Sequence, residues 1–194
     1  MAAQATLDCT TAAEDELVVR PLRREDVPVV LRLIHELAEY EGEPEGPKLS
    51  ERDLLEDGFE CSPAWFFGLV AERRGEVVGH ALCNRAYSSW TRRAFYIEDL
   101  FVRPAARRAG VGLALVRALC QMAVKEGVNR IDWHVLADNA PALAFYARLG
   151  AHDMLRAERR AAMRLDRRYI EAVARCSEPS DLLGPSASGP PDNQ

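Results

Sequence analysis

Aromatic residues are scarce, at 7 % of 194 residues, so a core must be built on Leu, Val and Ala. Basic residues are not in surplus. Net charge is −5 and the sequence pI about 5.5. That excludes a general nucleic-acid binder, which needs a broad basic surface to release phosphate counterions. It suits a cationic small molecule, because acidic groups can gather in one cleft. No apolar run approaches the roughly 20 residues needed to span a bilayer, so no membrane association is expected. The opening stretch MAAQATLDCTTAAEDE has neither a basic n-region nor an apolar h-region, so a cytoplasmic protein without a secretory signal is expected. The five cysteines (Cys9, Cys61, Cys83, Cys120, Cys176) include no CxxC pair. Their scatter fits reduced thiols rather than a disulfide framework. No Cys/His cluster has metal-ligand spacing, so no metal is expected.

What is present is enough apolar material, 48 %, for one domain. Residues 1–15 read as a flexible tail. Residues 176–194 are rich in Pro, Ser and Gly and read as a disordered tail, because they bury too little to offset ordering entropy. The folded unit is expected over 16–175. Strands are expected at Glu16–Leu22, Trp65–Glu72, Val77–Tyr87, Ala94–Val102 and Arg130–Leu136. Helices are expected from Asp26, an N-cap, to Tyr40, over the short SERDLLEDG with Ser50 and Asp53 as a capping pair, over Gly110–Glu126, from Asn139 to Leu149, and over Asp166–Arg175. Ala151–Leu155 and Ala161–Leu165 read as two closing strands. The order βααβββαβαβ implies a mixed α/β sheet.

The segment FYIEDLFVRPAARRAGVG is a strand, a glycine-containing turn and the start of a helix. A helix N-terminus offers N–H groups and a partial positive charge to an anion. Gly110 and Gly112 let backbone approach closely, and Arg103, Arg107 and Arg108 add positive charge. Taken alone, a tight turn with solvated arginines fits equally well. A P-loop lacks its GK[ST], and a dinucleotide turn lacks its third glycine.

Arg107-x-x-Gly110-x-Gly112, followed downstream by Asn139-x-x-Ala142-x-x-Phe145-Tyr146-x-x-x-Gly150-Ala151, resembles the signature of the GCN5-related N-acetyltransferases. The resemblance implies the GNAT fold, a mixed central β-sheet with helices on both faces and a splayed acetyl-CoA-binding strand pair. It implies acetyl-CoA as co-substrate, its pyrophosphate on the backbone of Arg108, Ala109, Gly110, Val111, Gly112 and Leu113. Pantetheine would lie along Leu100, Phe101 and Val102, with Asn139 and Ala142 by the CoA arm. LRLIHELAEYE, DLLEDGF and YIEDLFV (roughly residues 17–170) look like diamine (spermidine/spermine) and thialysine acetyltransferases.

Carried over residue by residue, the resemblance makes Tyr146 the acid that protonates the departing thiolate. It makes Glu98 the acceptor of the amine proton. Tyr40, Glu41, Trp90 and Asp99 would line the amine site, with Asp132, Trp133, His134 and Glu158 as further contacts. Relatives are homodimers with sites near the subunit interface, so a homodimer is expected. The residues agree with these roles. An alkylammonium must lose a proton before attacking a thioester, and paired carboxylates can act as bases. Strand alternation places Glu98 and Asp99 on opposite faces. Two departures, Ser88 where diamine enzymes carry an acid and Arg159-Arg160 where they carry Gly-Trp, add positive character. They favour a smaller, lysine-like amine over long polyamines. Packing roles for Tyr146, Trp90, Tyr40 and His134 remain open on the residues alone. So do a peptide acetyltransferase, a non-catalytic CoA-binding module, and an acetyl-enzyme on Cys83 or Cys120.

Overall fold

The computed structural model describes residues 16–175. The expected tails, with Cys9 and Cys176, lie outside the described residues. The chain divides into two units, with the boundary between Asn139 and Ala140.

The first unit is a mixed sheet of five strands in sequential order. They are β1 (Leu17–Pro21), β2 (Phe67–Arg73), β3 (Glu76–Ser88), β4 (Arg92–Val102) and β5 (Arg130–Trp133). The first four pair antiparallel, and β5 joins β4 in parallel. Two helices, α1 (Val27–Tyr40) and α2 (Glu51–Leu55), pack on one face of the sheet, and α3 (Val111–Glu126) packs on the other.

Helix α1 follows from apolar residues at i, i+3, i+4 and i+7: Val27, Val30, Leu33, Ile34 and Ala38 are all buried. They meet Leu54 of α2 and Val70, Val77, Leu82 and Phe101 of the sheet. On the opposite face Val111, Leu115, Leu119 and Ala123 of α3 meet Leu69, Ala71, Ala81, Cys83, Phe95 and Ile97. A fully buried leucine such as Leu33 or Leu115 gives about 2 kcal/mol. Among the described residues no helix is long and apolar enough to cross a membrane.

Asp26 differs from its expected role. It ends the turn Arg24–Asp26 and stands at the N-cap position of α1, as expected, but its side chain makes no cap bond to that helix. Its carboxylate accepts the Arg23 N–H at 2.8 Å and both Arg20 guanidinium nitrogens, at 2.6 and 2.9 Å. Glu72 takes Arg20 from the other side at 2.9 Å, which ties β1, β2 and the start of α1 together. Ser50 and Asp53 do form the reciprocal cap of α2.

The second unit carries α4 (Ala140–Arg148), α5 (Met154–Glu158) and α6 (Arg167–Arg175). Neither expected closing strand forms. Asp153 accepts the N–H groups of Leu155 and Arg156 and so starts a helix where Ala151–Leu155 suggested a strand. Ala161–Leu165 is exposed throughout and belongs to no strand. Its alternating Met163 and Leu165 have no buried face to serve.

Two outcomes follow. A Cβ at Gly79 would stand 2.7 Å from the Phe101 carbonyl oxygen, where β3 crosses the end of β4. Gly79→Ala should cost about 1–3 kcal/mol in urea unfolding. Arg20, chiefly by hydrogen bonding, holds the Asp26 carboxyl below the usual range. A lowered folded-state pKa stabilises above the unfolded value, about 3.9, and that contribution disappears as pH falls through the folded value. The unfolding midpoint should therefore drop on acidification below about pH 4, and less steeply in Asp26→Asn.

Candidate active site

The parallel ladder between β4 and β5 runs from Ala94↔Arg130 to Ile97↔Trp133 and stops. From Glu98 to Val102, β4 continues against β3 alone. This opens the β5-side edge of Leu100, Phe101 and Val102, as the splayed pair requires. The β3–β4 register also slips here, from Leu82↔Asp99 to Cys83↔Ile97. Glu98 is the additional residue of a β-bulge and is exposed.

The bulge exchanges the faces of the strand. Phe95 and Ile97 enter the α3-side core, whereas Phe101 enters the α1-side core. Asp99, opposite Leu82, therefore faces the α1 side instead of following Ile97. Simple alternation could not show this. The Asp99 carboxylate lies 3.7 Å from His80 Nε2 on β3, and His80 is completely buried. At the end of α1, Glu41 has its carboxyl raised, first by burial and then by the Asp99 charge. Tyr40, Glu41 and Asp99 are thus gathered about one end of the α1 face. His80 was missed from sequence. The signal was a lone imidazole at an inward position of the apolar strand VVGHALC.

The turn after β4 leads into an uncapped helix start. Gly110 sits at φ +81°, and α3 begins at Val111 with no side-chain cap. The first intrahelical donor is the Ala114 N–H, which reaches the Gly110 carbonyl at 2.9 Å. The N–H groups of Val111, Gly112 and Leu113 precede that bond, so the helix end is left to bind an anion. Two of the three arginines point elsewhere. Arg103 pairs with Glu36 of α1 at 2.9 Å. Arg107 donates to the Val102 carbonyl at 2.9 Å and stacks 4.3 Å from the Tyr40 ring centroid and 5.6 Å from Phe101. Arg108 is exposed on the turn at φ +64°, with Ala109 exposed beside it.

The other expected contacts are dispersed. Trp90 is exposed at the β3–β4 turn, where Ser88 Oγ accepts the Trp90 and Thr91 N–H groups at 3.2 Å each. The strand from Arg92 to Glu98 spans about 20 Å, so one chain does not bring Trp90 to Glu41 and Asp99. Asp132 pairs with Arg130 at 2.8 Å, and the Tyr96 hydroxyl bonds His134 Nδ1. Trp133 packs on the α3-side core. The Asn139 N–H closes a turn on the Leu136 carbonyl at 3.0 Å.

In the second unit, Ala142 and Tyr146 lie on α4, with the Tyr146 and Phe145 ring centroids 5.3 Å apart. The Tyr146 carbonyl accepts the N–H groups of Leu149 and Ala151, which end the helix around Gly150 at φ +86°. Glu158 pairs with Arg160 at 3.3 Å, so the positive charge of the Arg159-Arg160 departure is partly spent within this unit.

A family model described as Acetyltransferase (GNAT) family matches residues 30–151. A thialysine N-epsilon-acetyltransferase of Bos taurus is 37% identical over 150 residues, covering 73% of this chain and 88% of that one. A spermidine/spermine N(1)-acetyltransferase-like protein 1 of Homo sapiens is 33% identical over 147 residues, covering 72% of this chain and 21% of that one. A solved acetyltransferase structure from Trypanosoma brucei superposes with TM-score 0.60 at 27% identity, covering 78% of this chain and 99% of that one.

The structure separates two thiols. Cys83 is buried, and burial, with the Asp99 charge second, pushes its thiol up to about 12. Cys120 is exposed. Burial thus disfavours the Cys83 thiolate, which argues against a covalent acetyl-enzyme there. Iodoacetamide on the native protein should label Cys120 and spare Cys83; rapid Cys83 alkylation in folded protein would contradict this placement.

Proposed function

As a member of the acetyltransferase (GNAT) family and an N-acetyltransferase, this chain, we propose, acetylates a primary amine of a small cationic substrate by direct transfer from acetyl-CoA. The observation that carries the reading is the acidic pair Asp99 and Glu41 on the α1 face of the strand whose β5 ladder ends at Ile97. A cation-binding group and an open strand edge meet at one point of β4.

The family uses acetyl-CoA, and the residues present fit it. Backbone N–H groups from Arg108 to Leu113 would hold the pyrophosphate at the uncapped start of α3, and Leu100–Val102 would pair with the pantetheine. By the family resemblance, Asn139 and Ala142 would each serve the CoA arm. Acetyl-CoA supplies the acetyl group as a thioester. Asp99 and Glu41 hold the ammonium, and Tyr40 lines its path. Glu98 accepts the amine proton, and Tyr146 returns a proton to the leaving sulfur. Orientation of the two reactants supplies much of the acceleration. Asp132, Trp133, His134 and Glu158 make outer contacts. Trp90 enters only from a second copy, in the homodimer expected from the resemblance.

A compact, lysine-like amine such as thialysine is the preferred substrate. Ser88 is committed to its turn and carries no charge for a distant ammonium of a long polyamine. The bovine relative's name points the same way.

A panel of thialysine, lysine, ornithine, diamines, spermidine and peptides, assayed with acetyl-CoA, tests the reading. Thialysine-like amines should give the highest kcat/KM, and acetylation of peptides alone would refute it. Tyr146→Phe should lower kcat about 10²- to 10³-fold with the KM for acetyl-CoA nearly unchanged. Full turnover in this variant removes Tyr146 from the acid role.

A further inference from the structure

His80 is completely buried at an inward position of β3, and among the described residues neither of its ring nitrogens has a hydrogen-bond partner. Buried polar atoms are nearly always paired, and an orphan costs about 1–3 kcal/mol. A residue kept at that cost in a strand of Val, Gly, Ala and Leu calls for a reason other than packing. The polar group before it is Asp99, with Oδ2 3.7 Å from Nε2. That gap is too long for a hydrogen bond and short enough for an ion pair once the ring is charged.

Resting on the amine-acetyltransferase reading above, we propose that His80 is a positioning residue that sets the low-pH limit of substrate binding by competing with the substrate's ammonium for Asp99. Neutral His80 leaves the Asp99 carboxylate to the ammonium. Protonated His80 places a second cation behind the same carboxylate, and the amine is displaced. One proton is taken up and one cation released, so no other reactant is needed.

The other charged groups around this face are accounted for. On β2 the residue opposite is the apolar Val70. Further along that strand Glu72 is held by Arg20, which also holds Asp26 at the start of α1. On α1, Glu36 is paired to Arg103, His35 lies off the buried stripe, and Glu41 shares the field of Asp99. On α2, Arg52 is engaged by Glu56 and Glu60, Asp53 by Ser50, and Glu51 is exposed. Past β4, Arg107 lies over Tyr40 and Phe101. Glu41 on this face and Cys83 on the opposite face both feel the Asp99 charge, and His80 is the imidazole beside it.

The test compares wild type, His80→Phe, His80→Gln and, as a control for the second titrating group, Glu41→Gln, with folding checked by thermal midpoint. In wild type the KM for the amine should rise about tenfold between pH 8 and 6, with the KM for acetyl-CoA flat. In His80→Phe and His80→Gln that rise should vanish, while Glu41→Gln retains it. Linkage requires the reciprocal effect: saturating amine should lower the His80 ring pKa, read by NMR of its Cε1–H, by about one unit per tenfold of lost affinity. If His80→Phe does not fold, the NMR titration of wild type decides alone. An amine KM with the same pH slope in both variants, or a His80 pKa indifferent to the amine, overturns the inference and leaves the acetyltransferase reading intact. A wild-type chain that acetylates no amine overturns both.

Discussion

One inserted residue in β4 determines which face of the sheet Asp99 and Phe101 take. Without the bulge at Glu98, Asp99 and Phe101 would continue the inward side of Phe95 and Ile97 and meet α3. Burying a carboxylate against Leu115 and Leu119 without a partner would cost several kcal/mol. The bulge instead delivers Phe101 to the α1-side core and Asp99 to His80 and the end of α1. The same slip falls beside the last residue of the β5 ladder. Strand splay and carboxylate placement are thus two consequences of one irregularity, and Gly79 makes room for the β4 backbone just beyond it.

Electrostatics are correspondingly local. The chain is acidic overall, yet the turn after β4 is rich in arginine. Arg103 is neutralised by Glu36, and Arg107 is occupied by a carbonyl and two rings. What remains for an anion is mainly the uncapped start of α3, whose aligned N–H groups carry about half an elementary charge. Arg107 does a different job. By bridging the Val102 carbonyl to Tyr40, it couples the end of β4 to the end of α1.

The core helices and the hairpin were legible because their apolar period is long and regular. Val30, Leu33, Ile34 and Leu37 repeat over about two turns, and Val77–Tyr87 is a largely apolar run that follows a recognisable turn. The glycine turn was legible from its chemistry. Asp26 stands at the expected N-cap position, but its carboxylate serves Arg20 and the Arg23 N–H in place of the helix, a pairing the local pattern could not show. The closing strands failed for want of length: five residues of alternating Met163 and Leu165 carry no information about whether a neighbouring strand exists. The bulge was hidden for the opposite reason. Glu98-Asp99 sits in an otherwise ordinary strand, and only pairing with Leu82 and Cys83 reveals the extra residue. His80 was hidden with it, since its meaning depends on which face Asp99 takes.

The proposed reaction carries a conflict inherent in acetylating a cation. Carboxylates that attract an ammonium stabilise its protonated form, and so oppose the deprotonation that attack on a thioester requires. An alkylammonium near pKa 10.4 and a carboxylate near 4.3 differ by about 6 units, or roughly 8 kcal/mol, before any pocket effect. Asp99 and Glu41 together can only widen that gap on the binding side. A group that takes the proton must therefore stand apart from the groups that hold the charge, with access to water to pass the proton on. Glu98 is exposed and Asp99 less so, although the bulge turns Asp99 away from the face of Ile97. In the proposed reaction, binding and deprotonation fall to neighbouring carboxylates of unequal exposure, the more exposed one passing the proton to water.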